Sequence, residues 1–361
     1  MPGRQIHLGY VPLVDCAIPV VARELGFAEA EGLDLILGRE LSWASIRDKL
    51  AVGLYDAAHL LAGIPLAARL GLGGMPQQNL IVPMALGRGG NAITVSTRLY
   101  QRMLEAAPEI MAGPRGKTAK ALKKVIELDQ AAGRPLLSFA TVFPFSSHNY
   151  ELRYWLAEGE IDPDQDVNIG IIAPPRMFDS LRNGWIDGYC VGEPWNLRAV
   201  DRGDGVIVAL KEDIHPDSPE KVLGVREEWA NSNREALLAL VRALTRAAEW
   251  ADKLENRSEL ARLLSDENYV GAPYEILHAS LAGRPVLKPG SPPMDFPERH
   301  VFFHQNATIP SCEQAAWLTS QMQRWDQAPP DLDMTDTIRQ VYRPDIYQDA
   351  STKRHQIKSI T

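Results

Sequence analysis

Five groups in this chain stand where strands hand over to helices or loops, and all five can donate to a small anion. Trp43 supplies an indole N–H at the start of a helix. Asn91 supplies an amide after the glycine-rich run Gly87-Arg88-Gly89-Gly90. His148 sits at the mouth of another helix, in Ser146-Ser147-His148-Asn149. Gly192 offers a backbone N–H with no side chain in the way, and Lys221 an ammonium in a loop before a strand. Helix N-termini present unpaired N–H groups and a partial positive charge, so they favour an anion. Each residue has a plainer alternative: Trp43 as core, His148 as a helix cap or satisfied polar group, Lys221 as a surface lysine. Taken singly, they do not establish a site.

Other chemistries find less support. The eight His are scattered. No HExxH is present, and His300 and His304, four apart, fit a strand as well as a helix, so no metal site is expected. No GxxxxGK[S/T], no GxGxxG after a strand and no GxSxG appears. The carboxylates around Asp162, Asp164 and Asp166 lie in a turn-like linker and read as solvated. The expectation is a binding protein with no catalysis, no cofactor and no metal.

The elements that must position the five groups alternate strand and helix. Strands are expected at 6–10, 33–37, 57–61 and 80–85, with helices at 17–25, 44–52 and 65–70 between them. The stretch 138–195 repeats the pattern: strand 138–142, a helix from the Ser146 turn to Gly159, strand 167–172, a Pro-Pro loop, a helix, and strand 188–191 ending in Gly192-Glu193-Pro194-Trp195. This is the grammar of parallel sheets with crossover helices, which bind ligands where strands give way to helices. Further strands are expected at 92–95, 205–210 and 222–225. A basic helix is expected within 111–130, its Lys117, Lys120, Lys123 and Lys124 on a solvated face. Helices follow at 233–254, 269–282 and 312–325, with Trp317 and Trp325 in the core. The tail after Ala350 is expected to fray. No internal repeat is evident. The division expected is lobe I from 1–91 and 196–361, and lobe II from 92–195.

The chain's 361 residues suffice for two such lobes, and 45% hydrophobic with 23% charged residues is the composition of a globular protein. A net charge of −8 argues against a dedicated nucleic-acid binder. No apolar run is long enough to span a membrane. Cys16, Cys190 and Cys312 are far apart, which fits buried reduced thiols rather than a disulfide framework. The start, MPGRQIHLGYVPLVD, shows no export signal. A cytoplasmic location is therefore expected.

The order of motifs resembles that of the nitrate- and bicarbonate-binding proteins of ABC transporters. Ser42-Trp43 with Arg47-Asp48-Lys49, Gly53 and Asp56-Ala57-Ala58-His59 is similar to their SWxxxRDKL…G…DGAH segment. So are His148-Asn149 with Leu152-Arg153-Tyr154-Trp155-Leu156-Ala157, then Val191-Gly192-Glu193-Pro194-Trp195-Asn196, then Pro219-Glu220-Lys221-Val222. The resemblance runs over roughly residues 5–350. It implies a type II periplasmic-binding-protein fold, two α/β lobes with a ligand cleft between them. It also implies that Trp43, Asn91, His148, Gly192 and Lys221 hold the anion. The family's amide is typically Gln; Asn91 is a shorter arm. The bicarbonate carriers place an acidic residue, with calcium, at the position of Lys221. A lysine without carboxylates around it would favour nitrate or nitrite.

With no export signal, the chain looks like the stand-alone nitrate sensors of assimilation operons (the NasS type). In those, anion binding releases an RNA-binding ANTAR antiterminator. The sensor itself contacts neither nucleic acid nor membrane. An exported receptor of an ABC permease is the alternative. An enzyme resembling the thiamin-pyrimidine synthases would need a Cys-rich motif that three scattered cysteines do not supply.

Overall fold

Alternating apolar strands and amphipathic crossovers build two separate five-stranded sheets in this computed structural model, which describes residues 3–358 and side chains through Thr352. The first sheet holds β1 (Arg4–Tyr10), β2 (Leu33–Arg39), β3 (Ala57–Leu61), β4 (Leu80–Ala85) and, much later, β10 (Lys221–Arg226). The second holds β5 (Asn91–Ser96), β6 (Leu137–Thr141), β7 (Val167–Ile171), β8 (Gly188–Gly192) and β9 (Gly205–Leu210).

The strand orders are β2-β1-β3-β10-β4 and β7-β6-β8-β5-β9. β1 runs parallel to β2 and β3, and β6 parallel to β7 and β8. β10 is antiparallel to β3 and β4, as β5 is to β8 and β9. The two sheets thus share one topology. The registers agree too: Lys221 lies opposite Leu61, and Asn91 opposite Gly192. No repeat was expected from the sequence, and the reason is physical. A parallel sheet asks only for apolar strands and crossovers, which unlike residues supply equally well. The central strands β3 and β8 are buried along their whole length, and so is the edge strand β9, whereas the edge strands β2 and β7 are partly exposed.

The chain forms two compact units: residues 1–88, 218–271 and 300–361 in the first, and 89–217 and 272–299 in the second. The division expected from the sequence had the chain return to the first lobe at Trp195. Residues 196–217 and 272–299 instead fall with the second unit. Strand β9 pairs with β5 there, and Leu197, Val200, Ile207 and Leu210 share a core cluster with Ile276 and Leu287.

Helix boundaries follow local chemistry. Ser42 accepts from the Ser45 N–H at 3.2 Å and starts α2 (Trp43–Ala51), and Ser146 accepts from Asn149 at 3.1 Å and starts α3 (Ser147–Glu158). Helix α6 (Arg234–Asp252) buries Leu237, Leu240, Val241, Leu244, Ala248 and Ala251, the spacing expected of one apolar face. It packs on α1 (Ala17–Glu24); α4 (Met177–Arg182) and α5 (Trp195–Asp201) follow β7 and β8.

Other expectations need correction. The basic stretch is broken at Gly113-Pro114, so its main helix is only Ala119–Ala131. Lys117, Lys120 and Lys124 are exposed, as expected of a solvated face, while the half-buried Lys123 pairs with Asp166 at 3.0 Å. Trp317 and Trp325 are half-buried rather than core, and Cys312 is exposed. The last helix runs Pro344–Lys358, past the point where fraying was expected; the final three residues lie outside the described part. No helix among the described residues is long and apolar enough to cross a membrane.

Candidate anion-binding residues in each unit

In the first unit, Trp43 and Lys221 are both fully buried. Trp43 is the first residue of α2, placed there by the Ser42 cap, and its indole Nε1 has no hydrogen-bond partner among the described residues. Its ring lies 5.4 Å from that of His59, centroid to centroid. His59 sits mid-way along β3, buried among Ala57, Ala58, Leu60 and Leu61.

Lys221 begins β10, and its ammonium is not the bare cation expected from the sequence. Nζ lies 2.6 Å from Asp15 Oδ2 and 3.0 Å from Glu220 Oε2. Asp15 Oδ1 in turn lies 3.0 Å from His59 Nε2. The premise that Lys221 has no carboxylates around it therefore fails. A buried ammonium needs compensation, and two acids supply it. Burial pulls the Lys221 ammonium down, but Asp15 and Glu220 outweigh that and push it well above the ordinary lysine range. Burial likewise pushes the Asp15 carboxyl up, while Lys221 and His59 hold it well below the usual carboxylate range. The cluster stands at the carboxyl ends of β1 and β3. There the strand order turns from β2-β1 to β1-β3, the place where open α/β sheets bind ligands.

In the second unit, His148 is fully buried in the first turn of α3. It is not the cap of that helix, since Ser146 fills that role. Asn91 opens β5, and its Nδ2 donates to Glu151 Oε2 at 3.0 Å. One amide hydrogen expected to face an anion is thus spent on a buried acid. Cys190 Sγ lies 3.8 Å from the same Glu151 oxygen. Gly192 ends β8 opposite Asn91.

The Gly192-Glu193-Pro194-Trp195 motif proves to be a brace. The buried Arg299 donates to the carbonyls of Asn91 at 2.8 Å and Gly90 at 3.1 Å, and to Glu193 Oε1 at 2.8 Å. Glu193 Oε2 accepts from the Leu197 N–H at 3.1 Å and holds the start of α5. Burial raises the Glu193 carboxyl above its ordinary value, with Arg299 opposing. Gly89, at φ +89°, is obligatory here: a Cβ would stand 2.3 Å from the Arg299 carbonyl oxygen.

In the first unit Trp43 is linked to Lys221 through His59 and Asp15; in the second Asn91 lies opposite Gly192, and His148 shares its helix with Glu151, the partner of Asn91. Asp15, His59, Glu220, Glu151 and Arg299 were missed. One signal was available for His59, a polar residue inside an apolar strand, and another for Glu220, a carboxylate next to the candidate cation. Among the described residues no group of three His, Cys, Asp or Glu could hold a metal ion.

The model of the NMT1-like family matches residues 1–265. The chain belongs to the NMT1-like family. It is 36% identical to the nitrate import ATP-binding protein NrtC of Synechocystis sp., over 96% of this chain and 49% of that protein. It thus spans about half the length of the first curated relatives it matches. It is 30% identical to the nitrate/nitrite binding protein NrtA of Nostoc sp., over 95% of this chain and 76% of that one. The crystal structure of the periplasmic nitrate-binding protein NrtA from Synechocystis superposes with a TM-score of 0.88 at 26% identity, covering 97% of this chain and 89% of that one. The fold of this NMT1-like chain is accordingly the α/β periplasmic-binding-protein fold, and its homologues include nitrate-binding proteins.

Proposed function

We propose that this chain binds nitrate or nitrite without catalysis, and that Trp43, Asn91, His148, Gly192 and Lys221 are its anion contacts. One observation carries the reading: a fully buried indole N–H, on Trp43, without a partner, next to a buried ammonium cluster. An unpaired buried donor costs about 1–3 kcal/mol, and a small oxyanion would recover that cost. The likeness to NrtA supports nitrate or nitrite as that anion. Calorimetric titration with nitrate, nitrite and bicarbonate tests it. Saturable binding of nitrate or nitrite is expected; binding of bicarbonate alone, or of none of the three, sinks it.

The finer proposal is a cytoplasmic sensor whose anion binding releases an RNA-binding ANTAR antiterminator. It shares with the second reading the support of the motifs from Trp43 to Lys221, which resemble those of nitrate- and bicarbonate-binding proteins. If anion and partner favour different states of the protein, each must weaken the other by the same factor. The second reading is the anion receptor of an ABC transporter, favoured by relatives whose names refer to nitrate import and nitrate binding. A pull-down from cell extract with and without nitrate separates the two. The sensor reading expects an antiterminator that leaves on adding nitrate. Recovery of a permease instead supports the receptor.

A further inference from the structure

The second unit holds a hydroxyl that the proposed function does not use. Thr141 ends β6 and is fully buried, and its Oγ1 has no hydrogen-bond partner among the described residues. Its backbone is in order, since the Thr141 carbonyl accepts from the Ile172 N–H at 2.9 Å. The run around it is apolar: Phe139, Ala140, Val142, Phe143 and Phe145 are buried with it. Threonine and valine have nearly the same shape and both suit a strand, so packing alone would be served by valine. A hydroxyl taken out of water and left without a partner is unfavourable.

The fold fixes which way that hydroxyl faces. Side chains two apart on a strand share a face. Phe139 shares a core cluster with Leu152, Trp155 and Leu156 of α3. Thr141, two residues on, therefore lies on the α3 face, at the carboxyl end of β6. Because β6 and β7 are parallel, α3 between them runs back along the sheet, and its first turn, with His148, stands over that same end. The register that sets Ala140 beside Tyr189 brings Thr141 level with Cys190, two residues before Gly192. The hydroxyl thus belongs to the end of the sheet that carries His148 and Gly192, at the start of a 12-residue helix. Helix starts favour an anion.

The first unit supplies a control. There β1 meets β3 in the same register, Gly9 beside Ala58, which puts Tyr10 in the slot of Thr141. The Tyr10 hydroxyl donates to the Asn268 carbonyl at 2.7 Å. An orphan hydroxyl is no general property of this slot.

We propose that Thr141 is a further anion contact, its hydroxyl donating to an oxygen of the anion held by Asn91, His148 and Gly192. The inference rests on the nitrate or nitrite reading above and adds a residue to it.

The test is calorimetric nitrate titration of the full chain and its variants. Thr141→Val keeps the shape and removes the hydroxyl, and should bind nitrate about ten- to a hundredfold more weakly. Thr141→Ser keeps the hydroxyl and should bind close to wild type. Without nitrate, the denaturant midpoint of Thr141→Val should equal or exceed that of wild type, because no hydrogen bond is lost. Unchanged nitrate affinity in Thr141→Val, or an equal loss in Thr141→Ser, overturns the contact and leaves the proposed function standing. A weaker affinity together with a lowered nitrate-free midpoint assigns the hydroxyl to structure and overturns it too. Failure of the wild type to bind nitrate or nitrite removes the proposed function and this inference with it. If Thr141→Val does not fold, Thr141→Ser and Thr141→Ala, which differ by that hydroxyl alone, decide: tighter binding by the serine variant retains the inference, equal binding rejects it.

Discussion

In the first unit the acid of the first crossover, Asp15, reaches Lys221 and His59; in the second, Glu151 reaches Asn91 and Cys190. The slots correspond residue for residue. Lys221 and Asn91 each open the antiparallel strand, and His59 and Cys190 each stand third in the strand beside it. One topology thus fixes where three side chains meet, and residue identity decides the chemistry. The first unit's slot holds an ion pair with an ionisable ring, and the second holds an acid with an amide and a thiol.

The largest effect expected from breaking this comparison is that of Lys221→Met. It strips the buried Asp15 and Glu220 of their cation and should cost about 3–5 kcal/mol, read as a shift in the denaturant midpoint, with nitrate binding lost in calorimetry. Lys221→Glu should be worse still, placing three carboxylates together. Asn91→Ala removes a neutral donor to Glu151 and should cost about 1–3 kcal/mol in the same unfolding experiment. Equal costs for the two positions would erase the difference drawn between the units.

Acid and alkali sharpen it further. The Asp15 carboxyl is held low in the folded protein. Its contribution to stability is therefore present above its unfolded value of 3.8 and lost as pH falls through the folded one. The Lys221 ammonium is held high, so its contribution is present below 10.5 and lost as pH rises through the folded value. Glu193 of the second unit runs the other way: raised by burial, it gives up stability as pH climbs past 4.5. The stability gap between wild type and Asp15→Asn should hence close as pH drops below about 4, whereas Glu193→Gln should reduce the loss on going from pH 4 to neutrality. Stability curves against pH for the three proteins check both signs. The smallest effect compares the two caps: Ser42→Ala and Ser146→Ala should each cost about 1 kcal/mol, measurable as small shifts in Tm.

The legible features were those set by local pattern. The helix starts at Ser42 and Ser146 come from capping chemistry within three residues, and β3, β4, β8 and β9 from short apolar runs. Long-range pairings were opaque. Nothing near Lys221 in sequence announces Asp15, and nothing near Asn91 announces Glu151, 60 positions away. The boundary at Trp195 misled because the Gly192–Trp195 motif looks like the end of a domain, while its function is to seat α5 against Arg299. The candidate residues themselves were visible as donors at element ends. Their pairing with buried acids was not, because an acid's partner is chosen by the fold.

The Arg299 brace has a consequence for synthesis. It grips the Asn91 carbonyl across 208 positions of sequence. A ribosome adding about 5–20 residues per second would leave that strand end without its Arg299 contacts for roughly 10–40 s after it emerges. The second unit therefore cannot close its framework while the chain is being made in order, and completes it only when residues 272–299 arrive. A nascent chain stalled before Arg299 should still expose the Gly90-Asn91 turn to protease, and one released past it should not.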